Sequence, residues 1–337
     1  MVFSPVCQPL FFEGERVYDF EIERAVGEVE RRRAKKVFVQ APDGLKQFLA
    51  DFVSRLSKVC EVYVSINPCY GGCDLEDDKA AMIGADMVIH IGHEKFIEGA
   101  EKVQTIYLPA PHMVDVKDLA SLAASELKKR GFTKVGVLAN LQHVVHVGEF
   151  VRALEAAGIV PVVDRQTAGL VLGCRTGGAK RIEGEVDAFL FIGGGEFHPL
   201  GVAMDVEKEV FIADPYRNEV RGTVEMVKKT LSQRWWAIME AAKSKRFGVI
   251  VVTKPGQFSI KSAEKIAAGI RAAGREAYQL VGDEVSPERF ASFPFIEAFI
   301  VTGCPRIATD AYQDPNRPVL NEAEAWKMLE IIKPGNR

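Results

Sequence analysis

Three glycine–cysteine pairs are the residues in this 337-residue chain that could do chemistry: Gly72-Cys73, Gly173-Cys174 and Gly303-Cys304. Thiolates hold soft or borderline metals, so the three together suit zinc or an iron–sulfur cluster. They lie 101 and 130 residues apart. No compact zinc knuckle or local ferredoxin-type run has such gaps. Only a fold that brings distant segments to one point can use them jointly. Zinc would look for a fourth ligand, usually histidine, whereas three thiolates on a four-iron cluster leave one iron open for a substrate. The count of three therefore favours a cluster with chemistry at its fourth corner. Glycine before each cysteine suits a backbone that approaches a bulky ligand or adopts positive φ. The other three cysteines differ. Cys69 forms a C-x-x-x-C pair with Cys73, but Glu76 stands where a further C-x-x-C step would need cysteine. Cys60, before an apolar run, reads as a small buried hydrophobe, and Cys7 lies in an N-terminal extension.

The elements that must position these thiols recur three times. "KKVFVQAP" (35–42), "TKVGVLAN" (133–140) and "RFGVIVVTKPG" (246–256) are β-branched runs that end in turns. Each is followed by an amphipathic pattern with apolar residues at spacings of three and four, as in "HVGEFVRALEAAG". A second apolar run follows each helix ("EVYVSI", "IVPVV", "EAYQLV"). A third strand with a glycine turn then closes the unit ("ADMVIHIGHEKF", "VDAFLFIGGGEFHP", "IEAFIVTGCPRIATD"). Near-continuous apolar strands alternating with helices indicate buried parallel sheets. The expected fold is α/β: three Rossmann-like parallel-sheet domains from a triplicated unit, arranged about a pseudo-threefold axis around a central cluster site. The expected domains are 1–110 with Cys73, 111–230 with Cys174 and 231–337 with Cys304. In open parallel sheets ligands bind outside the carboxyl ends of the strands, and these cysteines fall at such ends. No copy carries G-x-G-x-x-G or G-x-x-x-x-G-K-[ST], and "GGGEFHP" is not expected to open a dinucleotide-type helix. The acidic run "DLEDD" after Cys73 is expected to open a helix, where carboxylates meet the positive end of the dipole.

Composition bounds the rest. A hydrophobic content of 47% and a charged content of 26% describe a globular chain. The net charge of −3 argues against a nucleic-acid partner. No basic segment precedes an apolar stretch at the N-terminus, and no run reaches membrane-spanning length. The expected setting is cytoplasmic, with reduced thiols and no membrane association. His143 and His146 stand three apart without H-E-x-x-H and are read as structural or substrate-contacting; His90 and His93 pose a weaker form of the same question.

The motifs "YGGCDL", "LGCRTG" and "TGCPRIA", with "FVQAPDGLK" and "YRNEV", resemble those of the diphthamide-synthesis radical enzymes. More narrowly, they resemble the archaeal 2-(3-amino-3-carboxypropyl)histidine synthase family, over essentially the whole chain. That resemblance implies a [4Fe–4S] cluster on Cys73, Cys174 and Cys304, with Cys69 outside the family pattern. It implies S-adenosylmethionine as cosubstrate, cleaved at the methionine Cγ–sulfonium bond by one electron from the cluster. The 3-amino-3-carboxypropyl radical then adds to a histidine of translation elongation factor 2, the first step of diphthamide biosynthesis. It further implies a homodimer and an external electron donor. Gly194 and Gly195 could offer backbone N–H groups to a carboxylate or ribose, Gln257 could bond adenine or carboxylate, and Arg306 could pair the substrate carboxylate. One alternative is a quinolinate synthase-like [4Fe–4S] enzyme acting on small molecules; another is a zinc-bound scaffold that supports a partner.

Overall fold

Thirteen strands form three sheets, each covered on both faces, in the computed structural model, which describes residues 17–99, 101–310 and 317–333. Cys7 and the N-terminal segment lie outside the described residues. The first sheet contains β1 (Lys36–Gln40), β2 (Glu61–Val64), β3 (Met87–Ile91) and β4 (Thr105–Leu108) in the order β2-β1-β3-β4. The second contains β5 (Lys134–Ala139), β6 (Val160–Val162), β7 (Ala188–Ile192), β8 (Glu209–Asp214) and β9 (Glu219–Gly222) in the order β6-β5-β7-β8-β9. The third contains β10 (Arg246–Val252), β11 (Glu276–Gly282), β12 (Ala298–Val301) and β13 (Val319–Asn321) in the order β11-β10-β12-β13. All pairings are parallel except β8 with β9.

The residues explain the layering. Alternate side chains of each central strand enter different cores, because successive Cβ atoms point to opposite faces. On β1, Val37 and Val39 join one core and Phe38 the other. On β7, Ala188, Leu190 and Ile192 face one side while Phe189 and Phe191 face the other. On β10, Phe247, Val249 and Val251 oppose Ile250 and Val252. Strands buried on both faces read as unbroken apolar runs, which is why these runs were visible in the sequence. The α/β fold with three mostly parallel sheets is therefore as the sequence implied.

Each sheet also carries a fourth parallel strand (β4, β8, β13) that the repeat pattern did not include. The helix Lys117–Lys129 packs on β8, and the helices Val224–Ala241 and Glu322–Ile332 pack on β13. The last begins with a capping box between Asn321 and Glu324, which satisfies otherwise orphaned N–H groups. Glu324 also receives two hydrogen bonds from the buried Arg234 guanidinium, at 2.7 and 2.6 Å. The acidic run after Cys73 does open a helix, Asp77–Met82. The "GGGEFHP" stretch differs from expectation: it runs directly into the helix Phe197–Asp205. Pro199 is no obstacle there, because a first-turn N–H has no intrahelical partner to lose. No helix among the described residues is long and apolar enough to cross a membrane.

Candidate metal centre

Cys73, Cys174 and Cys304 line one cavity of ≈ 310 Å³, at the carboxyl-end side of all three sheets. Cys73 follows β2 and precedes the helix Asp77–Met82. Cys174 sits in a tight turn closed by reciprocal backbone bonds between Leu172 and Arg175, at 3.2 and 3.0 Å. Cys304 follows β12 and starts the helix Pro305–Asp310, its carbonyl accepting from Ile307 N–H at 3.1 Å. Each thiol is close enough to another for its charge to act there. Burial raises all three above the ordinary thiol range, and the neighbouring cysteines push the same way. Cys73 and Cys304 are half-buried and Cys174 is exposed; thiols that resist ionisation by themselves are suited to a cation, which deprotonates a coordinating thiol outright.

Three ties between units hold the cavity. The N–H of Gly256, in the loop after β10, donates to Cys73 O at 2.8 Å, and Gln257 Nε2 donates to Cys73 Sγ at 3.4 Å. Arg175 lies over the Phe96 ring at 3.5 Å and donates to Phe96 O at 2.8 Å. Arg306 lies over the Phe197 ring at 4.8 Å. A Cβ at Gly256 would sit 2.5 Å from Cys73 Cα, so only glycine permits this approach. The glycines before the cysteines act similarly. A Cβ would meet Glu94 O at 2.1 Å at Gly72, Phe197 O at 2.7 Å at Gly173 and Val252 Cγ2 at 2.6 Å at Gly303. None of the three adopts positive φ, so close packing of the chain, not backbone handedness, accounts for them.

Beside Cys73, Lys254 Nζ bonds Asp74 Oδ2 at 2.8 Å and Glu284 Oε1 at 2.6 Å, and lies 4.4 Å from the Tyr70 ring centroid. Burial alone would lower the Lys254 pKa, but two carboxylates on one ammonium hold it above the ordinary lysine range. Asp74 shares that ammonium, and its burial outweighs the pairing and raises its carboxyl.

Gln257 and Arg306 line the cavity with the cysteines. Gly194 and Gly195 are not among its lining residues; their turn packs on the Asp214–Tyr216 turn, where a Cβ at Gly194 would sit 2.5 Å from the Tyr216 ring. His93, Asn140, Gln142 and His198 also line the cavity; of these only His93 stood out in the sequence, and non-local packing brings the others there. Cys60 packs against the first core, its thiol 3.5 Å from Leu56 O. Cys69 is buried and does not line the cavity. His143 and His146 stand with His112 around Tyr216, away from the cysteines. A larger groove of ≈ 720 Å³ between Glu76, Lys79, Asp283 and Arg289 contains no cysteine, so the chemistry belongs to the smaller cavity. A third space, ≈ 270 Å³, shares Gln257, Cys304 and Arg306 with it.

Fold and cavity together define an α/β protein of three mostly parallel sheets that gather three thiols from distant parts of one chain. The family model of putative diphthamide synthesis proteins matches residues 41–335, and the chain belongs to that family. It is 35% identical over 310 residues to the 2-(3-amino-3-carboxypropyl)histidine synthase of Pyrococcus horikoshii, covering 90% of this chain and 88% of that protein. The Methanocaldococcus jannaschii protein of the same name is 28% identical, with 91% and 89% covered. The crystal structure of Dph2 from Pyrococcus horikoshii with a 4Fe-4S cluster superposes with a TM-score of 0.84 at 32% identity, covering 94% of this chain and 92% of that one.

Proposed function

We propose that this chain is a 2-(3-amino-3-carboxypropyl)histidine synthase that transfers the 3-amino-3-carboxypropyl group of S-adenosylmethionine to a histidine of translation elongation factor 2. The observation that carries this reading is the meeting of Cys73, Cys174 and Cys304 on one cavity, in a chain whose relatives bear that name. In this reading the three thiolates hold a [4Fe–4S] cluster, the group with which the Pyrococcus horikoshii Dph2 was crystallised. The residues suit that group: three sulfur donors with no fourth cysteine among the lining residues. When bound, the cluster supplies the single electron that cleaves the sulfonium bond.

The protein's own part is placement. Gln257 N–H on Cys73 Sγ withdraws electron density from that ligand, a recognised lever on cluster potential. Arg306, beside Cys304 and over Phe197, offers a planar cation to the substrate carboxylate. The chain divides into domains near residues 110 and 230, one sheet to each. It works as a cytoplasmic homodimer with an external electron donor. Exposed Leu231, Trp235 and Met239 follow one another at spacings of four on the helix Val224–Ala241, and an apolar stripe of this kind supports a protein contact.

The test is anaerobic. Purified protein is expected to carry about four irons and four sulfides per chain. With reductant, S-adenosylmethionine and elongation factor 2, it should add one 3-amino-3-carboxypropyl group to the factor, read by mass spectrometry. Cys73→Ala, Cys174→Ala and Cys304→Ala should each lose iron and activity, and Cys60→Ala neither. An iron-free protein, or one that keeps its iron after Cys73→Ala, would overturn the assignment.

A further inference from the structure

Cys69, the thiol outside the cavity, has company. Its Sγ lies 3.9 Å from His90 Nε2 and 3.9 Å from His93 Nδ1, and the two nitrogens are 3.0 Å apart. The separations bear comparison with a tetrahedral zinc. Bonds of about 2.0–2.1 Å to nitrogen and 2.3 Å to sulfur would place the nitrogens about 3.3 Å apart and each about 3.6 Å from sulfur. All three observed distances fall close to that set.

The second shell fixes the first. Gln40 is fully buried; its Nε2 donates to Asp74 O at 2.6 Å, so its Oε1 is the acceptor for Glu76 N–H at 3.1 Å. The same Oε1 lies 3.1 Å from His90 Nδ1. An oxygen there can only accept, so His90 Nδ1 carries the proton and Nε2 presents a lone pair toward Cys69 and His93. A ring N–H on a carbonyl oxygen, with the other nitrogen free to ligate, is the arrangement that orients metal-bound histidines. Asp74 and Glu76 lie close enough for their charge to act on Cys69, a field that favours a cation.

We infer that Cys69, His90 and His93 form a second metal site, separate from the three-cysteine cavity, for one divalent cation of the zinc class. One thiol and two imidazoles suit zinc or cobalt rather than magnesium or calcium. Binding releases the Cys69 thiol proton and requires His93 to carry its proton on Nε2. Three protein donors leave a fourth position for water or a small ligand, and His93 itself lines the cysteine cavity. The two centres are thereby neighbours, and the second is independent of what the first catalyses.

The experiment is elemental analysis with zinc-edge X-ray absorption on the full chain, purified anaerobically with its iron intact from zinc-containing medium. The expected result is about one zinc per chain with one sulfur and two imidazole nitrogens in its first shell. Cys69→Ser should remove the sulfur and most of the zinc while the iron count stays. Gln40→Leu, which frees the His90 ring without touching a ligand, should weaken zinc binding by about 10–100-fold. If Cys69→Ser fails to give a folded protein by circular dichroism, His93→Gln provides the same comparison. A zinc content far below one per chain, or a shell of three sulfurs, would overturn the inference. The three-sulfur result would place the zinc in the cysteine cavity, whereas loss of iron with zinc retained would count against the proposed function instead.

Discussion

Replacing Lys254 with methionine tests how the Cys73 loop is held. Lys254 sits on the loop after β10, and its ammonium is 2.8 Å from Asp74 and 2.6 Å from Glu284. At an effective dielectric of about 20, the Asp74 pair alone carries roughly 6 kcal/mol of gross attraction, most of it offset by desolvation of two buried groups. Removing only the cation leaves the desolvation of Asp74 uncompensated, a change that costs about 3–5 kcal/mol for buried pairs. Two features favour the lower end: Asp74 keeps the Tyr70 N–H at 3.3 Å, and the Glu284 side chain is 40% exposed and can turn to water. The expected loss is therefore about 3 kcal/mol, read as a lower urea midpoint with unchanged slope. Because Gly256 and Gln257 follow Lys254 and contact Cys73, iron per chain should fall as well. Adding Asp74→Asn removes the stranded charge and should recover more than half of the stability. A single variant within about 1 kcal/mol of the parent, or a double variant no better than the single, would refute this account.

Three further outcomes follow from the same geometry. Gly256→Ala places a methyl carbon 2.5 Å from Cys73 Cα; the overlap should cost about 1–3 kcal/mol and lower iron retention, both measured on the purified protein. Asp164 accepts from Thr167 N and Oγ1 and from Arg181 Nε and Nη2, at 2.7–3.0 Å, across the loop that carries Cys174, so Asp164→Asn should make that loop a preferred site of limited proteolysis. Burial, with the charge of neighbouring histidines, holds His112 down to about 4 and His143 to about 3. Their neutral forms are favoured by folding, so stability should be level above the ordinary histidine range. It should fall as pH drops from about 6.5 toward 4, by up to about 1.4 kcal/mol per pH unit for each ring. Urea midpoints between pH 7 and 5 measure the slope, and His143→Gln should reduce it.

The readable part of the fold is the part that obeys strong local rules. Strands β1, β5, β7 and β10 are buried on both faces and so appear as unbroken β-branched and aromatic runs. The β4 segment "TIYL" and the β13 segment "VLN" are too short to stand out, and their strand character comes from pairing with β3 and β12. The three cavity cysteines were legible because each follows a strand and a glycine. The reason for the glycines was not, since contacts with Glu94, Phe197 and Val252 exist only in the folded chain. Cys69 and the His90/His93 pair are 21 and 24 residues apart. Each was visible as a separate question in the sequence, but only the pairing of β1 with β3 and the buried Gln40 between them brings the two together.

The three ties around the cavity have a consequence for how the protein is made. Cys304 emerges from the ribosome 231 residues after Cys73, and the loop that seats Cys73 carries Gly256 and Gln257 from the last sheet. A chain that ends before residue 304 thus lacks one of the three thiols that line the cavity. It is therefore expected to lose more than that one thiol: the Cys73 loop also loses the backbone and side-chain contacts that the last sheet supplies, so the cavity fails as a unit.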